Sequence, residues 1–192
     1  MPRGQYDPQR AHRIAAAALD VVAERGVGGL THRAVAAAAG VPLGSTTYYS
    51  KTLDDLLETA MREAKAQTDS ELAQLSVDIA AAGEVTRPLA AYLHRTVSDQ
   101  FGRTVVEFEL YLAALRRPQL RVLSQGWGEA LAGTLVEHVD EHTAMALSML
   151  CDGLLLKAVV QHRPFREPEI LALLRTVANA DPVALTSRHP DP

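Results

Sequence analysis

The stretch THRAVAAAAGVPLGSTTYYSKTLDDLL, residues 31–57, decides how the rest of the chain is interpreted. It contains an alanine-rich run that begins after Thr31, a residue type that caps helix N-termini. The run stops at Gly40, and glycine takes the left-handed conformation that ends many helices without strain. Pro42 is tolerated at a helix start, because it has no N–H to donate. The stretch therefore predicts two short helices joined by a tight turn.

The second of these helices is predicted over residues 42–49, only about two turns. A helix of this length is unstable alone in water, so its neighbours must hold it in place and leave it displayed. Gly44 has no side chain, so DNA could approach the helix backbone closely at this position. Short hydroxyls and tyrosines suit phosphate oxygens and base edges, and a threonine methyl can meet a thymine methyl. The displayed side chains are Leu43, Ser45, Thr46, Thr47, Tyr48 and Tyr49. The alternative is that the two tyrosines are ordinary half-buried aromatic residues.

The stretch resembles the DNA-binding domain of TetR-type transcriptional regulators, over about residues 8–65. The residues that match the family pattern are Thr31, Arg33, Val35, Ala36, Ala39, Gly40, Val41, Gly44, Ser45, Leu56 and Leu57. The resemblance implies an all-α protein with an N-terminal three-helix helix-turn-helix domain. A long helix would join this domain to a C-terminal helical bundle that dimerises and binds a small-molecule inducer.

Three positions depart from the family pattern. Thr47 stands where the family has a tyrosine, Ser50 where it has a phenylalanine, and Leu53 where it has a phosphate-binding lysine. Lys51 is the candidate for that phosphate contact. The predicted DNA-contact residues are Thr31, Arg33, Pro42, Leu43, Gly44, Ser45, Thr46, Thr47, Tyr48, Tyr49 and Lys51.

The charge distribution supports a DNA-binding N-terminal part. The 192-residue chain has a formal net charge of −4, which argues against a nonspecific nucleic-acid binder. Residues 1–53 carry six Lys or Arg against three acids, whereas the remainder carries 13 against 20. Residues 1–53 thus have a formal net charge of +3, and the remainder has −7. We predict two domains, a helix-turn-helix domain over residues 1–53 and a regulatory and dimerisation domain over residues 54–192.

The remaining sequence predicts helices throughout, since no segment alternates with a period of two for long. The first helix is expected to open at Asp7–Pro8, and a helix of about 30 residues to start at Thr52. This long helix is expected to link the helix-turn-helix domain to the regulatory domain. The apolar residues that form a stripe along it are Leu53, Leu56, Leu57, Ala60, Met61 and Ala64. The later helices are predicted near residues 87–100, 105–115, 120–139, 141–162 and 170–177.

The helix over residues 141–162 indicates a partner. Between Ala144 and Val160, 13 of 17 positions are apolar. A helix that is apolar nearly all round must be covered on both sides, so we predict a homodimer through the C-terminal helices, including 141–162. A twofold helix-turn-helix dimer binds a near-palindromic operator in double-stranded DNA. The alternative is a central core helix of the monomer.

No catalytic, cofactor or metal site is predicted. His138 and His142 do not form an HExxH motif, and the sequence has no glycine-rich phosphate loop and no G-x-S-x-G elbow. Aromatic and polar residues of the body are candidates for the effector site implied by the resemblance, although each is also an ordinary core residue type. The predicted effector contacts are Tyr92, Phe108, Glu109, Tyr111 and Trp127.

The sequence shows no signal peptide and no run of about 18 uninterrupted apolar residues, so we expect a cytoplasmic protein with no membrane partner. In bacteria it would lie on the nucleoid when bound to DNA. Residues 1–6 are expected to form a loose, disordered arm. The alternative is that Arg3 contacts the minor groove or a backbone phosphate of DNA. Cys151 lies in an apolar run and is expected to be a buried, inert thiol.

These features predict a ligand-responsive transcriptional regulator, a repressor that a small molecule releases from DNA. Two alternatives are a helix-turn-helix regulator without an inducer and a helical small-molecule-binding protein or enzyme that reuses the fold.

Overall fold

The computed structural model describes residues 8–179, and every regular element within them is a helix. The α-helices are α1 (Pro8–Arg25), α2 (His32–Ala39), α3 (Leu43–Tyr49), α4 (Leu53–Ala82), α5 (Thr86–Ser98), α6 (Phe101–Ala114), α7 (Arg121–Gly128), α8 (Ala130–Leu135), α9 (Glu141–Gln161) and α10 (Glu167–Ala178). Short 3-10 helices, Val27–Gly29 and Pro118–Leu120, precede α2 and α7. The predicted all-α class is confirmed. The predicted arm with Arg3 and the predicted cap Asp7 lie outside the described residues.

The helices group into two compact units. Residues 8–73 and 100–130 form the first unit, and residues 74–99 and 131–179 form the second. The first unit thus contains α1–α3, most of α4, α6 and α7. The predicted domain boundary after residue 53 stays a prediction. The grouping by packing places residues 54–73 and 100–130 in the same unit as α1–α3.

An apolar core holds the first unit together. It joins one face of α1 to the first turns of α4 and to the inner face of α6. The largest fully buried side chains in this core are Ile14, Leu56, Leu57, Met61, Leu110 and Leu120. The short helices α2 and α3 are held in place because Val35, Val41 and Tyr49 pack against the same core.

Helix α4 is 30 residues long, as predicted, and ends before Gly83 in the left-handed region (φ +65°). Its predicted apolar stripe is buried except at its first member. Leu53 is 51% exposed, so its assignment to the stripe is wrong. Leu53 stands at the first position of the helix, one turn before the buried pair Leu56 and Leu57.

The single helix predicted over residues 120–139 is instead broken into α7 and α8. Glycine is a poor helix former, and Gly126, Gly128 and Gly133 all lie in this segment. At Gly128 an added Cβ would lie 3.3 Å from the phenolic oxygen of Tyr111. The break therefore occurs where α7 approaches α6 closely.

In the second unit α9 packs against α5 and α10. Asp140 caps α9, since its carboxylate accepts a hydrogen bond from the backbone N–H of Thr143 at 3.1 Å. By length and composition α9 is able to cross a membrane, a test that core helices of soluble proteins also pass. Cys151 lies on its buried face, and burial raises the pKa of the thiol far above its usual value. The predicted burial of Cys151 is confirmed.

Candidate nucleic-acid interface

The turn between α2 and α3 has the predicted chemistry. The Thr31 hydroxyl accepts a hydrogen bond from the backbone N–H of Ala34 at 3.1 Å, so Thr31 is the N-cap of α2. Gly40 adopts the left-handed conformation at the end of α2 (φ +62°, ψ +36°), where any other residue would be strained. Pro42 is the N-cap of α3, so the helix starts at Leu43, one residue later than predicted. The local sequence therefore fixes the crossing of the two helices.

Helix α3 has an inner and an outer side. Thr46 is fully buried, and its hydroxyl donates to the carbonyl of Leu43 at 2.9 Å, with the carbonyl of His32 in α2 at 3.4 Å. The assignment of Thr46 as a DNA contact is therefore wrong, because its hydroxyl is turned into the protein and ties α3 to α2. Ser45 and Tyr49 are half-buried beside it.

The outer side of α3 is open. Its exposed residues are Leu43, Gly44, Thr47 and Tyr48. The ring of Tyr48 stands edge-on to the ring of Tyr49, with centroids 5.1 Å apart and planes at 88°. Because Tyr49 packs against the core, this contact orients the exposed ring. The other predicted DNA-contact residues Thr31, Arg33, Pro42 and Lys51 are exposed as well.

Asp55 fixes the backbone on which Lys51 stands. One carboxylate oxygen of Asp55 accepts hydrogen bonds from the backbone N–H groups of Lys51 and Thr52, each at 2.9 Å. The hydroxyl of Thr52 accepts in return from the N–H of Asp55 at 3.0 Å. This reciprocal arrangement is a capping box. Its T-x-x-D spacing was visible in the sequence and identifies a positioning residue that the DNA-contact prediction omitted.

This capping box gives a prediction about pH. The hydrogen bonds from the backbone of Thr52, together with those from Lys51, lower the pKa of the Asp55 carboxyl below its usual value. A lowered folded-state pKa means that Asp55 stabilises the fold above the unfolded-state pKa and loses this effect as the pH falls through the folded-state pKa. Asp55→Ala should thus lower the Tm at pH 7. Its difference from wild type should shrink on acidification below about pH 4. A Tm difference that stays constant down to pH 2 would contradict this account.

Glu109 has a partner inside the protein. Its carboxylate accepts a hydrogen bond from the backbone N–H of Val27 at 3.1 Å, so α6 is tied to the connection between α1 and α2. Gly26, which precedes Val27, has a positive φ of 67°, and a Cβ there would lie 3.3 Å from the same carboxylate. No local sequence signal pointed to this contact, because its partners lie 82 positions apart.

The predicted effector contacts fall in different parts of the fold. Phe108, Glu109, Tyr111 and Trp127 belong to the first unit, whereas Tyr92 is buried in the second. Trp127 packs against the core of the first unit. Within residues 8–179 no three His, Cys, Asp or Glu side chains come together as ligands for a metal ion.

Arg117 and Asp54 link the end of α6 to the start of α4. The Arg117 guanidinium donates to the Asp54 carboxylate at 2.9 Å, and the Gln119 amide donates to its other oxygen at 2.6 Å. Together with the hydrogen bond from Val27 to Glu109, these contacts tie α6 and the segment after it to the α1–α2 connection and to the start of α4. We call α1–α3 the head.

Comparisons with known proteins agree with this arrangement. The family profile described as "Tetracyclin repressor-like, C-terminal domain" matches residues 80–180. The HTH-type transcriptional regulator BetI of Cronobacter sakazakii is 27% identical over 180 residues, which are 86% of this chain and 87% of that protein. A BetI from Escherichia coli O157:H7 is 25% identical over 191 residues, which are 91% of this chain and 95% of that protein.

Solved structures show the same similarity. The multidrug binding protein EbrR, in complex with ethidium, is 37% identical, has a TM-score of 0.75, and covers 90% of this chain and 99% of its own. A TetR-family member from Streptomyces coelicolor is also 37% identical, has a TM-score of 0.76, and covers 88% of this chain and 98% of its own. With the helix-turn-helix geometry of α2 and α3 and the matched C-terminal helices, the chain belongs to the TetR family of ligand-responsive, DNA-binding transcriptional regulators.

Proposed function

We propose that this protein binds a near-palindromic operator as a homodimer, represses transcription there, and is released by a small-molecule effector. The observation that carries the proposal is the two-sided α3, which is anchored inward by Thr46 and open outward at Leu43, Gly44, Thr47 and Tyr48. A helix held in this way can enter the major groove without rearranging. We expect the protein to act in the cytoplasm, as a regulator and not as an enzyme.

Arg33 and Lys51 are the proposed phosphate contacts. Both are exposed, and they stand at the start of α2 and just beyond the end of α3. Lys51 takes the role of the lysine that is replaced by Leu53, and Asp55 fixes its backbone. The outward residues of α3 would then face the bases, with Thr31, Pro42, Ser45 and Tyr49 as further predicted contacts at the edges of the interface.

The proposed dimer interface lies on α9 and α10. The side of α9 opposite its buried face carries the exposed residues Met145, Met149, Leu156 and Val160. Leu173 of α10 is 42% exposed. A second copy would cover these side chains, and twofold pairing matches a helix-turn-helix protein to two half-sites.

We propose an aromatic organic cation as the effector. The related EbrR structures hold ethidium, proflavin or malachite green, which are planar or propeller-shaped aromatic cations. In this chain residues 54–192 carry 20 acids against 13 Lys or Arg, so the body attracts cations. The contact residues Tyr92, Phe108, Glu109, Tyr111 and Trp127 stay predictions.

The DNA-contact proposal is tested by salt-dependent operator binding. Footprinting on DNA upstream of the protein's own gene identifies the operator. Arg33→Ala and Lys51→Ala should each weaken binding to operator and to unrelated DNA alike. Each should lower the slope of log K against log salt by about one per lost phosphate contact, which is about two per dimer.

Arg87→Ala is the matched control, because Arg87 is an exposed arginine in the second unit, paired with Glu84. It should leave both affinity and slope unchanged. If the Arg33 and Lys51 variants keep the wild-type salt slope, the assigned DNA interface is wrong. Effector binding is measured in a separate experiment without DNA, because such dyes also bind DNA directly. Malachite green should quench the fluorescence of Trp127, the single tryptophan of the chain.

A further inference from the structure

The outer side of α3 lacks the side chains that read purine edges. Paired hydrogen bonds to guanine come from Arg or Lys, paired bonds to adenine from Asn or Gln, and Asp or Glu accepts from cytosine. Helix α3, with the sequence LGSTTYY, contains none of these six residue types. If α3 faces the bases, its hydroxyl groups and its apolar groups are left to discriminate between sequences.

The hydroxyl of Thr47 already donates a hydrogen bond within α3. It donates to the carbonyl of Gly44 at 3.3 Å, one turn earlier in α3. A hydroxyl has a single proton, so Thr47 retains its methyl group and an acceptor lone pair for a neighbouring molecule. Thr47 is therefore unable to donate to a base without breaking its bond within the helix.

What α3 offers most prominently is apolar surface. Leu43 is 47% exposed and Tyr48 is 54% exposed, although most leucine and tyrosine side chains are buried to a greater extent. Gly44 stands between them on the same outward side and leaves the backbone open to close approach. Moving apolar groups out of water lowers the free energy, so contact with an apolar partner stabilises this face.

The apolar group on the major-groove base edges is the C5-methyl of thymine. We infer that α3 recognises its half-site through thymine methyl groups, which Leu43 and the methyl of Thr47 contact, while the ring of Tyr48 covers the flank. This inference rests on the proposed binding of α3 in the major groove. It predicts that the bases facing α3 are A·T pairs whose thymines point toward Leu43 and Thr47.

Deoxyuridine tests the inference directly, since it pairs with adenine as thymidine does but lacks the methyl group. Each thymidine in the footprinted operator is replaced by deoxyuridine, one symmetric pair of positions at a time. At the positions that face α3, each methyl removed should weaken binding about three- to five-fold, and about ten- to twenty-fold for the symmetric pair in the dimer. Positions outside the half-site cores should show no change.

The matching change in the protein is Leu43→Ala, which is combined with the deoxyuridine substitutions in a double-mutant cycle. This variant should bind the thymidine operator more weakly and should lose its sensitivity to deoxyuridine at one position in each half-site. Val122→Ala is the matched control, because Val122 is an apolar side chain of α7 that is 80% exposed in the same unit. Leu43 is exposed, so its truncation should leave the thermal unfolding of the protein unchanged.

Two results overturn the inference while the DNA interface stands. One is wild-type affinity for a fully deoxyuridine-substituted operator, and the other is an unchanged deoxyuridine response in Leu43→Ala. A failure of the DNA interface itself gives a different result, because Arg33→Ala and Lys51→Ala would then leave binding to the unmodified operator unaffected.

Discussion

Replacing Met149 with glutamate is expected to separate the proposed homodimer and to weaken operator binding by about 10²–10⁴-fold. Met149 is 65% exposed on the outward side of α9, among the apolar residues of the proposed interface. In a twofold interface one substitution places two carboxylates of like charge in a contact whose other exposed α9 side chains are mostly apolar. A monomer then holds one half-site with one head and loses the advantage of a tethered second contact.

Sedimentation equilibrium and operator titration measure the two effects. Val122→Glu is the control, since it puts the same charge on an equally apolar and still more exposed position of α7. It should remain dimeric and bind the operator as wild type does. A Met149→Glu protein that sediments as a dimer at micromolar concentration would show that this face of α9 is not the interface.

Truncating Leu56 to alanine should lower the free energy of unfolding of the first unit by about 2–5 kcal/mol. Leu56 is fully buried in the core that joins α1, α4 and α6, so its loss leaves a cavity beneath the head. Leu53, three positions earlier in the same helix, is the same residue type but is 51% exposed. Leu53→Ala should therefore change stability by no more than about 0.5 kcal/mol.

Urea unfolding followed by two signals distinguishes these outcomes. The fluorescence of Trp127 follows the first unit, because this residue packs against its core, whereas circular dichroism follows all helices. The Leu56 variant should shift the fluorescence transition to lower urea. Equal stability losses in the Leu53 and Leu56 variants would mean that the packing of α4 differs from that described.

The sequence predicts the head well because its signals are local. A cap at Thr31, a left-handed residue at Gly40 and a helix start at Pro42 each act within a few positions, and the structure has them as expected within one residue. The 30-residue length of α4 was also predicted, since Thr52 and Gly83 mark its ends.

The inner and outer sides of α3 were not predictable in the same way. Five of the seven residues of α3 carry a hydroxyl group, so the helix shows no strong apolar stripe and the pattern does not reveal which side faces α2. The burial of Thr46 follows from the crossing of α2, where the carbonyl of His32 lies close to its hydroxyl. The error at Leu53 has another cause. The helical spacing of apolar residues includes Leu53, but the core that buries Leu56 and Leu57 does not extend to the first position of α4.

Contacts between distant segments were the least predictable. The pairing of Glu109 with Val27 and of Arg117 with Asp54 depends on how α6 lies along the first unit. Neither pair has a spacing that a sequence pattern would reveal. The sequence gives no sign that the Glu109 carboxylate accepts a hydrogen bond from the backbone N–H of Val27, and its role as an effector contact stays a prediction.

The burial of Cys151 makes the chain a convenient host for spectroscopic labels. The sequence contains no other cysteine, and this one is fully covered and held in its protonated form. A cysteine introduced at an exposed site such as Ala37 would be the reactive thiol of its subunit. In the proposed dimer, spin or dye pairs attached there would report the distance between the two α2 helices in solution, and the native cysteine would not have to be removed first.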